Sequence, residues 1–259
     1  MEGEGGLNSG IRMLRAMRVI EAVGDASIPV SISQLAQRVE IPKATLARLV
    51  ANLVASGYLS FIPGQRVLVP GPRSVRAALR TLGNGYFRRE CRTVLREVVN
   101  KLGETCNLVA MDGDCVLYIE RVETGAPLRM HLEPGARAPL HCTAGGKLLL
   151  SHMETAERTR LVGMLRLERM TLHSIVTPRE LTLELERIKA QGWGEDNEEF
   201  VAGMVGVAVP VLPPDRAEAV AALVCHAATA RASLRELSGN VPTLKLAAKR
   251  LSSILMPPA

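Results

Sequence analysis

Aromatic residues are nearly missing from this chain: Phe, Tyr and Trp together make up 3% of its 259 residues. Leu, Val, Ala and Met must fill any core, and a hydrophobic content of 47% is enough for that. Lysine is scarce too. It occurs only at 43, 101, 147, 189, 245 and 249, which leaves 26 of the 32 basic residues as arginine. Arginine suits phosphate and guanine, although GC-rich codon usage yields the same bias. The five cysteines are odd in number and scattered, with no Cys-x-x-Cys pair. That excludes a disulfide scaffold and fits a reducing cytosol. No apolar run approaches ~18 residues, so no membrane partner is expected. The first ten residues are acidic and Gly-rich, without the apolar stretch of a signal peptide, and a cytoplasmic location is expected. Fingerprints for nucleotides, dinucleotides or a serine nucleophile are also missing. No enzyme activity, catalytic residue, cofactor or bound metal is expected.

What is present is unevenly placed charge. Residues 1–90 carry 12 Lys/Arg against 6 Asp/Glu, and residues 91–259 carry 20 against 20. The net charge of +6 therefore resides in the first third. A basic module joined to a neutral remainder points to a polyanion partner.

Periodicity organises that first third. Residues 1–10 are expected to be disordered. Ile11–Val23 has helical apolar spacing. Ser33 is a candidate N-cap for a short helix over Gln34–Val39, and Pro42 suits the first position of a third helix, Pro42–Ser56. Gly57 ends it. Two strand-like pieces, Tyr58–Ile62 and Val67–Pro70, flank Pro63-Gly64-Gln65-Arg66, a hairpin signal. Residues 72–82 form a connecting helix, stopped by Gly83-Asn84-Gly85, and 86–102 form another.

Beyond residue 103 strands and helices mix. Thr105–Met111 and Cys115–Val122 flank Asp112-Gly113-Asp114 as a hairpin, and Leu128–Leu132 is a third strand. Thr143–Met153, Glu154–Leu167, Pro178–Gln191 and 240–256 are helical, and Val205–Val211 and Ala219–Cys225 are buried strands. The fold class is α+β with a largely antiparallel sheet.

Helix, helix, helix, hairpin is the order of a winged helix-turn-helix. The third helix would enter the major groove of double-stranded DNA. Lys43, Ala44, Thr45, Ala47 and Arg48 lie on its early outward face. Arg48 suits bidentate contact with guanine, Lys43 a phosphate, and Thr45 a phosphate or thymine methyl. Arg66 at the hairpin tip would reach the backbone or minor groove, and Arg12 and Arg15 are phosphate partners. Glu40 occupies a turn position where glycine is common. A Glu at positive φ is strained, so a slightly different turn is expected.

These residues resemble the IclR family of bacterial regulators, from about Ile11 to Leu255. The resemblance is carried by Ser33-Gln34-Leu35-Ala36, Pro42-Lys43-Ala44-Thr45, Gly57-Tyr58-Leu59 and Gly71-Pro72-Arg73. It continues in Gly103-Glu104-Thr105-Cys106-Asn107-Leu108, in Pro139 through Lys147, in Thr177-Pro178, and in Asp196, Glu198-Glu199 and Gly203. It implies a winged helix over 11–70, a linker helix and hinge over 71–85, and a GAF-like effector-binding domain over 86–259. It also implies a homodimer or homotetramer on operator DNA, acting as repressor or activator, with a small organic acid as effector. The resemblance places Met130 and Leu140 as apolar walls of the effector pocket. Ala144, Gly145 and Gly146 would offer backbone N–H groups to a carboxylate, and Asp196, Gly206, Val224 and His226 would complete the site. The family often has Cys where Gly206 stands, and Ser where Val224 and His226 stand. A roomier pocket is implied, suited to a larger, aromatic carboxylate with His226 as its partner. Signal transfer would run through residues 72–102 and the 83–85 hinge.

Each pocket residue has a plain structural alternative. His226 is equally a satisfied core histidine, Gly145-Gly146 a helix start, Asp196 a turn cap, and Glu198-Glu199 solvated loop charges. Two other functions fit the composition. One is a metal-dependent enzyme built on His141 with Cys225 or Cys142 with His226, although adjacent strand residues face opposite ways and no close-spaced zinc ligands occur. The other is a ligand sensor or interaction module without specific DNA binding.

Overall fold

The computed structural model describes residues 3–26, 28–82, 85–130, 132–214 and 217–256. They fall into two compact units, residues 1–83 and 84–259. Gly83 and Asn84, two of the three hinge positions, lie outside the described residues.

The first unit runs α1 (Gly3–Gly24), β1 (Val30–Ser31), α2 (Ile32–Val39), α3 (Lys43–Ala55), β2 (Leu59–Phe61), β3 (Val67–Pro70) and α4 (Pro72–Leu82). Three helices and a small antiparallel sheet of order β1-β3-β2 make a winged helix-turn-helix. Val19 and Val23 of α1, Leu35 of α2, Leu46, Val50 and Leu53 of α3, and Leu59 and Leu68 of the wing close one core.

Four details differ from the sequence reading. The leader is helical from Gly3 and not disordered. Once Val19 and Val23 anchor the helix, adding residues to its end costs far less than nucleating it. The N-cap of α2 is Ser31, not Ser33. Ser31 Oγ accepts from the Gln34 amide at 3.3 Å, while the Ser31 amide donates to Gln34 Oε1 at 2.8 Å. This reciprocal box needs a Gln or Glu three residues on, a condition Ser31 meets. Pro42 is the N-cap of α3 and not its first residue. The turn keeps the usual left-handed geometry, with Glu40 itself at φ 52°. α3 ends as expected at Gly57, φ 77°, where the Tyr58 amide donates to Leu53 O and the Gly57 amide to Val54 O, each at 2.9 Å.

The second unit runs α5 (Gly85–Leu102), β4 (Thr105–Asp112), β5 (Cys115–Val122), β6 (Arg137–Pro139), α6 (Ala144–His152), α7 (Thr155–Met164), α8 (Pro178–Gln191), β7 (Gly194–Asn197), β8 (Met204–Val211), β9 (Ala221–Ala228), α9 (Leu234–Ser238) and α10 (Val241–Leu255). Its antiparallel sheet has the order β6-β5-β4-β9-β8-β7. Successive side chains of central β9 alternate between two cores. Leu223, Cys225 and Ala227 join α5 and α10 on one face, and Ala222 and Val224 join α6 and α8 on the other. Helices on both faces explain why β9 shows no polar alternation.

Leu128–Leu132 is not a strand in its described residues; His131 lies outside them. Arg231 donates to the Leu128 carbonyl and Arg121 to that of Met130, so guanidinium groups take acceptors a ladder would use. The third strand of this region is instead the short β6, paired with β5 through Val116 and Ala138.

A left-handed backbone costs a non-glycine residue roughly 1–2 kcal/mol. Glu40→Gly should therefore stabilise the winged unit by about 1 kcal/mol, visible as a higher melting temperature by circular dichroism. An unchanged or lower melting temperature would show that Glu40 bears no strain.

Candidate functional site

In the second unit, the N-terminus of α6 packs against the face of the sheet that carries Val109, Val116 and Val224. Thr143 caps the helix, accepting from the Gly146 amide at 3.2 Å and donating to Pro139 O at 2.8 Å. The first two amides of α6, Ala144 and Gly145, have no acceptor within the helix. The approach is close because Gly145 lacks a side chain. A Cβ there would lie 2.8 Å from a Val109 methyl and 2.9 Å from one of Val224.

Beside this helix start lies a small, partly open cavity. Val109, Val116 and Tyr118 of β4 and β5 form one wall, and Phe200, Val201, Met204 and Val205 another. Of the residues singled out from sequence, Met130, Ala144, Gly145, Asp196, Gly206, Val224 and His226 line it. Leu140 and Gly146 do not. They pack on each other behind the helix, where a Cβ on Gly146 would fall 2.4 Å from Leu140 O. A Cβ on Gly206 would meet Ala144 Cβ and Asp196 Cβ at 3.6 Å and Cys225 O at 3.7 Å, ordinary contact distances, so a methyl group would fit there without strain.

Three ionisable side chains line the cavity, Tyr118, Asp196 and His226, and burial shifts each toward its neutral form. Asp196 Oδ1 accepts from the Glu199 amide at 2.8 Å and caps that turn. Desolvation, with the Glu199 charge adding to it, pushes its carboxyl up to about 7. His226 is 7% exposed. Burial, helped by the nearby Arg121 guanidinium, pulls its imidazole down to about 3. Its Nδ1 lies 3.0 Å from Asn107 Nδ2, and Arg121 Nη1 donates to Asn107 Oδ1 at 2.9 Å. Among the described residues, His226 Nε2 is buried with no hydrogen-bond partner. Asn107 and Arg121 were not singled out beforehand as site residues. Direct β-register between them, and between Asn107 and Val224, creates the cluster, and register across 119 residues has no local sequence signal.

Glu199 is not a solvated loop charge. It is 7% exposed and paired with Lys147, which is fully buried in α6. Lys147 Nζ also reaches Glu184 Oε1 of α8 at 3.4 Å. His141 and Cys225 do not converge: Cys225 faces the other core, and His141 Nε2 lies 2.9 Å from Glu168 O. Among the described residues no group of three His, Cys, Asp or Glu can hold a metal ion.

In the first unit Lys43, Ala44, Ala47 and Arg48 are exposed along α3 and Thr45 is half-buried. Arg66 is exposed between the two wing strands, and Arg12 and Arg15 are exposed on α1.

A basic winged helix-turn-helix joined to a sheet domain with a cavity beside a helix start defines a ligand-responsive DNA-binding regulator. The chain matches the family description "IclR helix-turn-helix domain" over residues 13–63 and "Bacterial transcriptional regulator IclR C-terminal" over residues 80–253. It belongs to the IclR family of DNA-binding transcriptional regulators, whose second domain binds effectors. It is 38% identical to the probable transcriptional regulator SauR of Cupriavidus necator, over 94% of this chain and 96% of that one. Among solved structures, Thermotoga maritima IclR shares the fold with a TM-score of 0.63 and 24% identity, over 94% of this chain and 98% of that one. An IclR homologue from Microbacterium hydrocarbonoxydans, solved with 4-hydroxybenzoate, has a TM-score of 0.59 at 22% identity, over 94% and 98% of the two chains. Among the described residues no helix is long and apolar enough to cross a membrane.

The raised Asp196 carboxyl sets a pH dependence. Between the unfolded value near 3.8 and the folded value of about 7, the folded chain holds a proton that the unfolded chain has lost. That stability is full below the lower value and is lost as pH rises through 7. Asp196→Asn keeps the acceptor for the Glu199 amide but cannot ionise. Its melting temperature should rise relative to the natural protein between pH 5 and pH 8. A constant difference across that range would place the Asp196 carboxyl at an ordinary value.

Proposed function

We propose that operator binding by this regulator is controlled by a small carboxylic acid held in the cavity of the second unit, with an aromatic body preferred. The observation behind this is one cavity that combines a helix N-terminus, the His226 ring and mostly apolar walls. Helix amides favour an anion, and a few polar groups on an apolar lining are what orients a small ligand. Val109, Val116, Tyr118 and Val224 offer apolar contact to a ring. The 4-hydroxybenzoate of the distant neighbour belongs to that protein and does not bear on this choice.

The protein binds and does not turn over its acid on this reading, and it works in the cytoplasm as a homodimer or homotetramer. Self-association is supported by α1, which leaves Ile11, Met13, Leu14 and Met17 exposed on one helix. Lys43, Arg48, Arg66, Arg12 and Arg15 supply the DNA contacts, with Ala44, Thr45 and Ala47 against the groove.

Thermal melting of the full chain against a panel of carboxylates tests the effector. A bound acid should stabilise by ~2.7 kcal/mol at a hundredfold excess over its Kd. Aromatic acids should act at lower concentration than two-carbon acids; glyoxylate outperforming every aromatic acid would end this reading. Coupling requires the acid to bind free and operator-bound protein with different affinity.

The DNA face is tested by substitution. Arg48→Ala should cost on the order of 1–3 kcal/mol at one base position, while Lys43→Ala should weaken all sequences alike and flatten the salt dependence. Unchanged operator affinity in both variants, measured by fluorescence anisotropy, would move the recognition surface off α3.

A further inference from the structure

We infer that Arg121 and Asn107 hold His226 in a single tautomer, with the proton on Nε2, so that the ring donates a hydrogen bond to an acceptor oxygen of the effector. This deepens the acid-effector reading and rests on it for the identity of the acceptor.

The argument follows from which groups can only give. A guanidinium has donors and no lone pair to offer. Arg121 Nη1, 2.9 Å from Asn107 Oδ1, therefore fixes the amide oxygen toward itself. The Asn107 side chain is fully buried and must turn its NH₂ the other way, onto His226 Nδ1 at 3.0 Å. An NH₂ group gives and cannot accept, so Nδ1 must be the ring's lone-pair nitrogen. A neutral imidazole then carries its one proton on Nε2. The ring is more than nine-tenths buried, lines the cavity, and leaves Nε2 without a partner among the described residues. An N–H group buried without an acceptor costs roughly 1–3 kcal/mol, which a bound ligand oxygen would recover.

Two further contacts fix the start of this relay. Arg121 is 4% exposed, and its Nε donates to Glu123 Oε1 at 3.0 Å. Its Nη2 donates to the carbonyl of Met130, another cavity residue. Arg121 and Asn107 are thus positioning residues. They touch no ligand and act through His226. A carboxylate or carbonyl oxygen satisfies the donor, whereas an ammonium group cannot. The cavity should therefore take benzoate and reject benzylammonium, a body of similar size with donors only.

The test uses full-length protein labelled with ¹⁵N, read by long-range proton–nitrogen correlation of the five histidines. His226→Gln assigns the signal. The natural protein at pH 8 should show His226 as the Nε2–H tautomer. Asn107→Asp replaces the NH₂ donor with a carboxylate acceptor. It should move the proton to Nδ1 and weaken benzoate binding about tenfold or more. An Nδ1–H ring in the natural protein overturns the relay whether or not any acid binds, and this spectrum decides even if Asn107→Asp does not fold. Benzoate affinity unaffected by a tautomer change overturns the donor role while leaving the acid reading intact. Failure of every carboxylate in the panel, benzoate included, to perturb the His226 signal removes the acid reading and the assigned acceptor together.

Discussion

The close contact between the start of α6 and the sheet is the constraint on which the second unit depends. Three glycines permit it. Gly145 lets the helix touch Val109 and Val224, Gly146 lets it pass Leu140, and Gly194 of β7 lets that strand approach the Ala144 carbonyl, where a Cβ would stand 2.5 Å away. Side chains at these points would force the helix off the sheet. The same contact leaves the cavity beside the helix terminus, so the packing that closes the core also places backbone amides at a buried space.

Charge inside this unit is arranged around that contact. Lys147, one turn into α6, is fully buried and held between Glu184 of α8 and Glu199 of the loop after β7. Arg187 then ties Glu184 to Glu195 of β7. Taking such charges from water is expensive, and removing one partner strands the others. The network fixes how α6, α8 and β7 meet, and with them the position of Asp196. Elsewhere, Arg121 and Arg231 hold the carbonyls of Met130 and Leu128.

The winged unit follows simpler rules. Apolar spacing in α3, a proline before it and a glycine after it are local signals with local consequences, and they determined that helix to within a residue. The difference between Ser33 and Ser31 shows where local reasoning needs a partner. Both are good caps, but only Ser31 stands three residues before a glutamine that can return the hydrogen bond. At Glu40 the demand of the helix-turn-helix for a left-handed residue overrode local preference.

Local signals along the chain specify the two-part organisation, the winged helix-turn-helix, the helices and most strands of the second unit, and the family to which the chain belongs. Hydrophobic period, turn chemistry and charge placement operate over a few residues and can be read directly. The sequence also nominated the glycines of α6, Asp196 and His226. Tertiary structure decided which of those share a space. Leu140 and Gly146 turned away, while Tyr118 and Phe200 came in. It alone decided the strand exchange near residue 130, where arginines from β5 and from the turn after β9 took the carbonyls. The relay from Arg121 through Asn107 to His226 belongs to the same class. Both links are cross-strand contacts; the one between Asn107 and His226 joins segments 119 residues apart, which only sheet register brings within hydrogen-bonding distance.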